Sequence, residues 1–122
     1  MTALAWVAVG SAIGAPARYL LDRFIQERHE RVFPWGTFVI NVSGSFVLGV
    51  LVGLTTHHLT AAWLVPAVGT GFLGGYTTFS TFTWESLRLV EDGAALAAWT
   101  NVVSSAALGL AAAALGLVIG SL

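Results

Sequence analysis

Apolar residues fill this chain in long blocks, and the charged residues fall between them. From residue 32 to 84, and again from 93 to 122, there is no Asp, Glu, Lys or Arg. Runs of that length belong in a bilayer, where about 20 residues cross the hydrocarbon core and every backbone polar group must bond internally. The pattern therefore predicts helices, four of them. The first covers residues 3–21 and ends where Arg18, Asp22 and Arg23 reach the interface by snorkelling. The stretch from Val32 to Trp84 is too long for one crossing, and Thr55-Thr56-His57-His58, with Pro66 beyond, marks a turn inside it. Two spans result, 35–54 and 63–87, and a fourth, 94–122, opens at Asp92-Gly93. Four crossings put both termini on one side. Trp6, Trp35, Trp63, Trp84 and Trp99 all lie near span ends, where indole rings favour the membrane interface. Ala15-Pro16-Ala17 also reads as a signal-peptide cleavage site, a reading weakened by the lack of a basic segment before it.

Composition narrows the class. The AVILMFWYC set makes up 57% of the 122 residues, and all five basic residues are Arg against six acids. A formal net charge of −1 removes the electrostatic footprint of a nucleic-acid binder. With no cysteine, disulfides and thiolate metal sites are excluded. The longest charged stretch, Asp22 to Arg31, leaves no room for a separate soluble catalytic domain. Residues 1–122 are read as one transmembrane domain of an all-α membrane protein, surrounded by membrane lipid.

Small residues recur four apart, at Gly10 and Gly14, Gly49 and Gly53, Gly71 and Gly75, Gly116 and Gly120. Such pairs let helix backbones approach closely in lipid, and packing is the expected role of most of them. Four helices of this size enclose little interior, so an aqueous path would be shaped with a partner subunit.

Polar residues inside the spans form stripes. Thr37, Asn41 and Ser45 follow at i, i+4 and i+8; Asn101, Ser104 and Ser105 make a second patch; Thr77, Ser80 and Thr81 make a third. All can hydrogen-bond and none is charged near neutral pH. One such stripe reads as interhelical glue. Three together favour a polar path. Residues 69–82, GTGFLGGYTTFSTF, carry four glycines and consecutive threonines, which support a regular helix poorly. An unwound turn is expected at Gly74 to Thr78, enclosed by protein or water rather than lipid. Freed carbonyls there suit a cation, and nearby helix N-termini suit anions. The spacing of Gly69, Gly71 and Gly74 also matches a dinucleotide-binding pattern, but no strand precedes it. Phe79 and Phe82 sit about one turn apart, and their electropositive ring edges can line an anion path without a fixed cation that would trap the ion.

Three segments carry a resemblance: GSAIGAPARY from Gly10, WGTFVINVSGSFVLG from Trp35 and GFLGGYTTFSTFTWE from Gly71. Together they resemble the small fluoride channels called Fluc or CrcB, along nearly the whole chain. The resemblance implies four transmembrane helices with a break in the third, assembled as an antiparallel, dual-topology dimer. Two fluoride pathways would form between the subunits, with a structural Na+ at the dimer interface. It implies Asn41, Phe79, Ser80, Thr81, Phe82, Asn101 and Ser105 as pore residues, the backbone carbonyls of Gly74 and Thr77 as sodium ligands, and Arg18 as a structural or vestibule residue. Many relatives carry Tyr at the position of Asn101. Glu85 also matches the family pattern, and a helix-end role is expected of it. The implied function is passive export of fluoride across the cell's inner (plasma) membrane, protecting against fluoride toxicity. Such a protein is a multi-pass channel and not an enzyme. Fluoride is small and strongly hydrated, so a selective passage must replace its water with dense neutral donors.

Charge placement departs from that symmetry. Arg18, Arg23, Arg28, Arg31 and Arg88 all fall on one side of the predicted bundle. Because cytoplasmic loops collect basic residues, this bias favours one orientation. Either the neighbouring acids offset it and the chain forms a homodimer, or it pairs with an oppositely oriented homologue. Two rival functions have clear discriminators. A small multidrug transporter needs a carboxylate in its first span, and residues 2–17 hold none. A non-transporting anchor would use the polar stripes as glue and would pass no ions. His57 and His58 are adjacent in a predicted loop, unlike a zinc helix with histidines on one face. They read, like His29, as solvated residues.

Overall fold

A computed structural model describes residues 2–29 and 32–122. Arg31, one of the arginines counted at the charged end, lies outside the described residues. Among those residues the chain is all helical: α1 (Ala3–Arg28), α2 (Trp35–His57), α3, α4 (Ser80–Glu91) and α5 (Ala95–Ser121). In α3 a π-helical stretch, Val65–Leu73, continues as a single α-turn, Gly74–Tyr76. Residues 77–79 between α3 and α4 are not helical. Three helices, α1, α2 and α5, are each long and apolar enough to cross a membrane. Between α2 and α5, α3 and α4 follow one another across the break at residues 77–79. This is a multi-pass membrane protein.

Helix ends depart from the expected spans in instructive ways. Both α1 and α4 continue past the apolar runs, to Arg28 and Glu91. The expected turn at Thr55-Thr56-His57 is helical instead, and His57 is the last residue of α2. The Thr55 and Thr56 hydroxyls donate to the Leu51 and Val52 carbonyls one turn back, and the His57 ring nitrogen Nδ1 lies 3.2 Å from the Gly53 carbonyl oxygen. Polar side chains satisfied on their own helix do not end it. The reversal between α4 and α5 needs a left-handed residue, and Gly93 supplies it at φ +82°.

The bundle is built from two close helix pairs. Gly10 and Gly14 of α1 face α3, where an added methyl would strike the Ala67 and Phe72 carbonyls, and Gly71 answers them from the α3 side. Gly49 and Gly53 of α2 interlock with Gly116 and Gly120 of α5 in the same manner. The α1–α3 and α2–α5 pairs are joined by contacts of α1 with α2 and of α4 with α5. In lipid, where hydrophobic burial gains little between helices, backbone proximity of this kind supplies the packing. Few large side chains are buried; Ile40, Leu51, Leu73 and Leu89 are among them, while many Leu, Val and Trp are exposed.

Candidate functional site

The break between α3 and α4 is held open from another helix. Thr77 ends α3: its amide and hydroxyl both donate to the Leu73 carbonyl, at 2.9 and 2.8 Å. Its backbone is extended, with φ −81° and ψ 159°. An unbroken helix would then bond the Thr78 amide to the Gly74 carbonyl. Here the Thr78 amide donates to Asn41 Oδ1 at 2.9 Å, and Asn41 Nδ2 donates to the Thr78 carbonyl at 2.8 Å. One carboxamide thus satisfies both polar groups of one residue of the break. The chain restarts as α4 just beyond, and the Thr81 amide in its first turn donates to Thr78 Oγ1 at 3.2 Å.

The break falls later than its glycines suggest. Gly74 keeps helical angles, φ −62° and ψ −36°, and its amide reaches the Gly69 carbonyl five residues back. Gly75 is used for approach to α1, where an added Cβ would lie 3.1 Å from the Ala15 nitrogen. Irregular backbone begins only at Thr77. Space for it comes from Gly44 of α2, where any Cβ would collide with Thr77 Cγ2.

Around the break lies a cavity of about 570 Å³. Asn41, Gly44, Ser45 and Leu48 line it from α2, Gly69, Leu73 and Gly74 from α3, Thr77, Thr78 and Phe79 from the break, Phe82 from α4, and Val102, Ser105 and Ala106 from α5. None of these residues carries a charge. Phe79 is 77% exposed, and its ring centroid lies 6.1 Å from that of Phe82. The N-terminus of α4 starts at this cavity, and its partial positive charge favours an anion there.

Of the residues singled out from sequence, Asn41, Phe79, Phe82, Ser105, Gly74 and Thr77 therefore meet at one cavity. Ser80, Thr81, Arg18 and Asn101 do not line it. Ser80 and Thr81 form the first turn of α4, and Arg18 is half-buried on α1. Asn101, expected as a lining residue, is enclosed at 1% exposure between α5 and α4. Its Nδ2 donates to Ser86 Oγ at 2.9 Å, and its Oδ1 accepts from Ser105 Oγ at 3.3 Å. A carboxamide on the α4-facing side of α5 finds the Ser86 hydroxyl opposite it, and that pairing takes it away from the cavity.

Comparison with known proteins fits this architecture. A family model described as "CrcB-like protein, Camphor Resistance (CrcB)" matches residues 5–117. The chain belongs to the CrcB family. A relative from Frankia casuarinae, named "Fluoride-specific ion channel FluC 1", is 50% identical over 115 residues, covering 90% of this chain and 89% of its own. The "Fluoride-specific ion channel FluC" of Magnetococcus marinus is 48% identical over 120 residues, 98% of each chain. The "Fluoride-specific ion channel FluC 2" of Mycobacterium tuberculosis strain H37Rv is 45% identical over 118 residues, 95% of this chain and 90% of its own.

In this CrcB chain a second cavity, also about 570 Å³, opens at the arginine-bearing end and is lined by Gln26, His29, Trp35, Trp84, Glu85, Arg88 and Asp92 among others. Glu85, expected at a helix end, sits within α4 and accepts a hydrogen bond from the Thr37 hydroxyl. Thr37 is 3% exposed and one turn from Asn41 on α2, while Glu85 is about one turn beyond Phe82 on α4. Polar groups thus run from the inner cavity toward the outer one. Gly44 and Ser86 were passed over in reading the sequence, and Thr78 was read only as the end of the unwound turn. Thr78 was visible as the second of two threonines at the break, and Ser86 lies four residues beyond Phe82.

Proposed function

We propose that this chain is one subunit of a fluoride-selective channel that lets fluoride leave the cell passively across the plasma membrane and so protects against its toxicity. The observation that carries the reading is an uncharged cavity, placed where a broken membrane helix restarts and ringed by Asn41, Ser45, Thr77, Thr78 and Ser105. Neutral donors and the edges of Phe79 and Phe82 can replace the water of a small anion while still letting it go. Family membership and the names of the relatives support fluoride as that anion.

The functional unit in this reading is an antiparallel dimer with two pathways formed between subunits. Its support is what one subunit leaves unfinished: Phe79 stands 77% exposed on the cavity rim, and nothing lies within 4 Å of a Cβ built on Gly74. The same face suits a central sodium ion. Diversion of the Thr78 amide to Asn41 deprives the Gly74 carbonyl of its usual helical donor, and the described residues contain no cluster of three His, Cys, Asp or Glu that could serve a metal instead. Backbone oxygens of Gly74 and Thr77 would hold the ion, whose role is to neutralise carbonyl dipoles brought together at the interface. Arg18, Arg23, Arg28 and Arg88 stand toward one end of the bundle, which supports a partner of opposite orientation, either a second copy or a homologue.

One experiment tests the function: efflux from liposomes containing the purified protein, followed with a fluoride electrode and a chloride control. Fluoride should leave and chloride should stay. Retention of fluoride as in protein-free vesicles, with and without an oppositely oriented homologue, ends the channel reading in favour of a non-transporting anchor. Conduction by this chain alone excludes an obligate heterodimer.

A further inference from the structure

Three side chains and one backbone carbonyl form a continuous hydrogen-bonded link between α4 and α5 beside the cavity. Ser105 Oγ donates to Asn101 Oδ1 at 3.3 Å, Asn101 Nδ2 donates to Ser86 Oγ at 2.9 Å, and Ser86 Oγ donates to the Phe82 carbonyl at 2.8 Å. The two ends of this link, Ser105 and Phe82, both line the cavity, whereas Asn101 is 1% exposed. We propose that Asn101 is a positioning residue: it holds the Ser105 hydroxyl in reserve for the anion and ties that hydroxyl to the α4 turn carrying Phe82. The inference rests on the channel reading above.

The hydroxyls around the cavity differ in how tightly they are held. Ser45 and Thr77 each donate at 2.8 Å to a backbone carbonyl one turn back, the bond any helical serine or threonine can make. Ser105 could do the same and does not. Its proton points to a side-chain acceptor at 3.3 Å, the long end of the hydrogen-bond range. A serine has one proton, so while Ser105 donates to Asn101 it offers an arriving anion only lone pairs. Rotation about its side-chain bond turns that proton toward the ion and breaks one long neutral contact. Asn101 keeps its bond to Ser86 throughout, so the acceptor stays in place for the proton's return when the ion leaves.

A bridge of this kind makes Ser86 and Ser105, which do not touch, energetically dependent on each other. The test is a double-mutant cycle on the full-length protein in liposomes, reading initial fluoride efflux and the fluoride concentration giving half-maximal flux. Ser105→Ala should lower flux roughly three- to tenfold, the scale of one lost neutral hydrogen bond, and Ser86→Ala by a smaller factor. Together they should cost clearly less than the product of the two factors. In the Asn101→Leu background the same two substitutions should become independent. Asn101→Leu should also shift the half-maximal concentration, which a purely structural loss would leave unchanged in the properly folded fraction. Factors that simply multiply in the unsubstituted background overturn the bridge even where Asn101→Leu fails to fold. Wild-type protein that passes no fluoride sinks the channel reading and this inference together, whereas a conducting wild type with a multiplicative cycle sinks this inference alone.

Discussion

Asn41 of α2 and Thr78, in the break between α3 and α4, are joined as two strands would be: the carboxamide gives its Nδ2 proton to the Thr78 carbonyl at 2.8 Å and takes the Thr78 amide proton at 2.9 Å. A helix broken at membrane depth needs partners for the groups it frees, because lipid offers none. Asn41→Ala should therefore leave two polar groups of the break unpaired. Unsatisfied buried groups cost about 1–3 kcal/mol each, the lower end applying at this half-buried site. The expected result is a lower thermal midpoint in detergent and near-complete loss of fluoride efflux. Asn41→Asp retains the acceptor and places a negative charge on the anion's path, so it should abolish flux with a smaller loss of midpoint. An Asn41→Ala protein as stable and conductive as wild type would disprove the role of this pair.

Gly44 and Thr77 make the second prediction. A Cβ at position 44 collides with Thr77 Cγ2, and its next neighbour, Tyr76 Cδ2, is 3.5 Å away. Gly44→Ala should push Thr77 aside at a cost of about 1–3 kcal/mol, typical of overpacking, and should lower flux by moving the break. Thr77→Ser removes the offending methyl and keeps the hydroxyl that bonds Leu73. The double variant should recover most of the midpoint and flux lost by Gly44→Ala. Absence of recovery would show that glycine is needed there for some other reason.

How far the fold could be read ahead depended on how local its cause was. Apolar runs located the three helices long enough to cross a membrane, because the cost of a charge in lipid is paid residue by residue. Glycines spaced four apart marked faces of close approach, but which helices pair through them, α1 with α3 and α2 with α5, is set by the tertiary fold. Position of the break was less legible: Gly74 and Gly75 signal weak helix locally, yet Thr77 to Phe79 unwind, because Asn41 competes for the Thr78 amide from 37 positions away. Ser105 and Asn101 share a stripe on α5, but the rotation of α4 against that stripe decides which faces Ser86 and which faces the cavity. Glu85 looked terminal because an apolar run ended near it, whereas α4 continues to Glu91 into the interface.

Phe79 and Phe82 should separate function from stability. The Phe79 ring is 77% exposed in the subunit, so Phe79→Ile removes little packing, while Phe82 is half-buried at the cavity wall. Both substitutions replace an electropositive ring edge with an aliphatic group that offers an anion nothing. Each should reduce fluoride efflux at least about tenfold, equivalent to about 1.4 kcal/mol for the ion in transit. Only Phe82→Ile should lower the thermal midpoint of the isolated subunit. Undiminished efflux with both isoleucines in place would remove the rings from the pathway.

Gly74 distinguishes what the subunit requires from what its assembly requires. Its backbone is helical and a Cβ there meets nothing within 4 Å, so Gly74→Ala imposes no clash within the chain. Replacing a helical glycine by alanine even favours the helix by up to about 1 kcal/mol. A loss of dimer must then come from outside the subunit, from a second chain or from an ion held at the Gly74 and Thr77 carbonyls, whereas a loss of efflux with the dimer intact would come from a methyl in the cavity that Gly74 lines. The expected outcome is normal helical content together with a smaller dimer fraction by light scattering and a loss of efflux. Exchange of sodium for N-methylglucamine during purification should lower the dimer fraction of wild type in the same way, because a cation too large to sit among carbonyls cannot offset their repulsion. Wild-type dimers indifferent to the exchange would remove sodium from the interface, and Gly74→Ala dimers as abundant as wild type would remove this face of α3 from it.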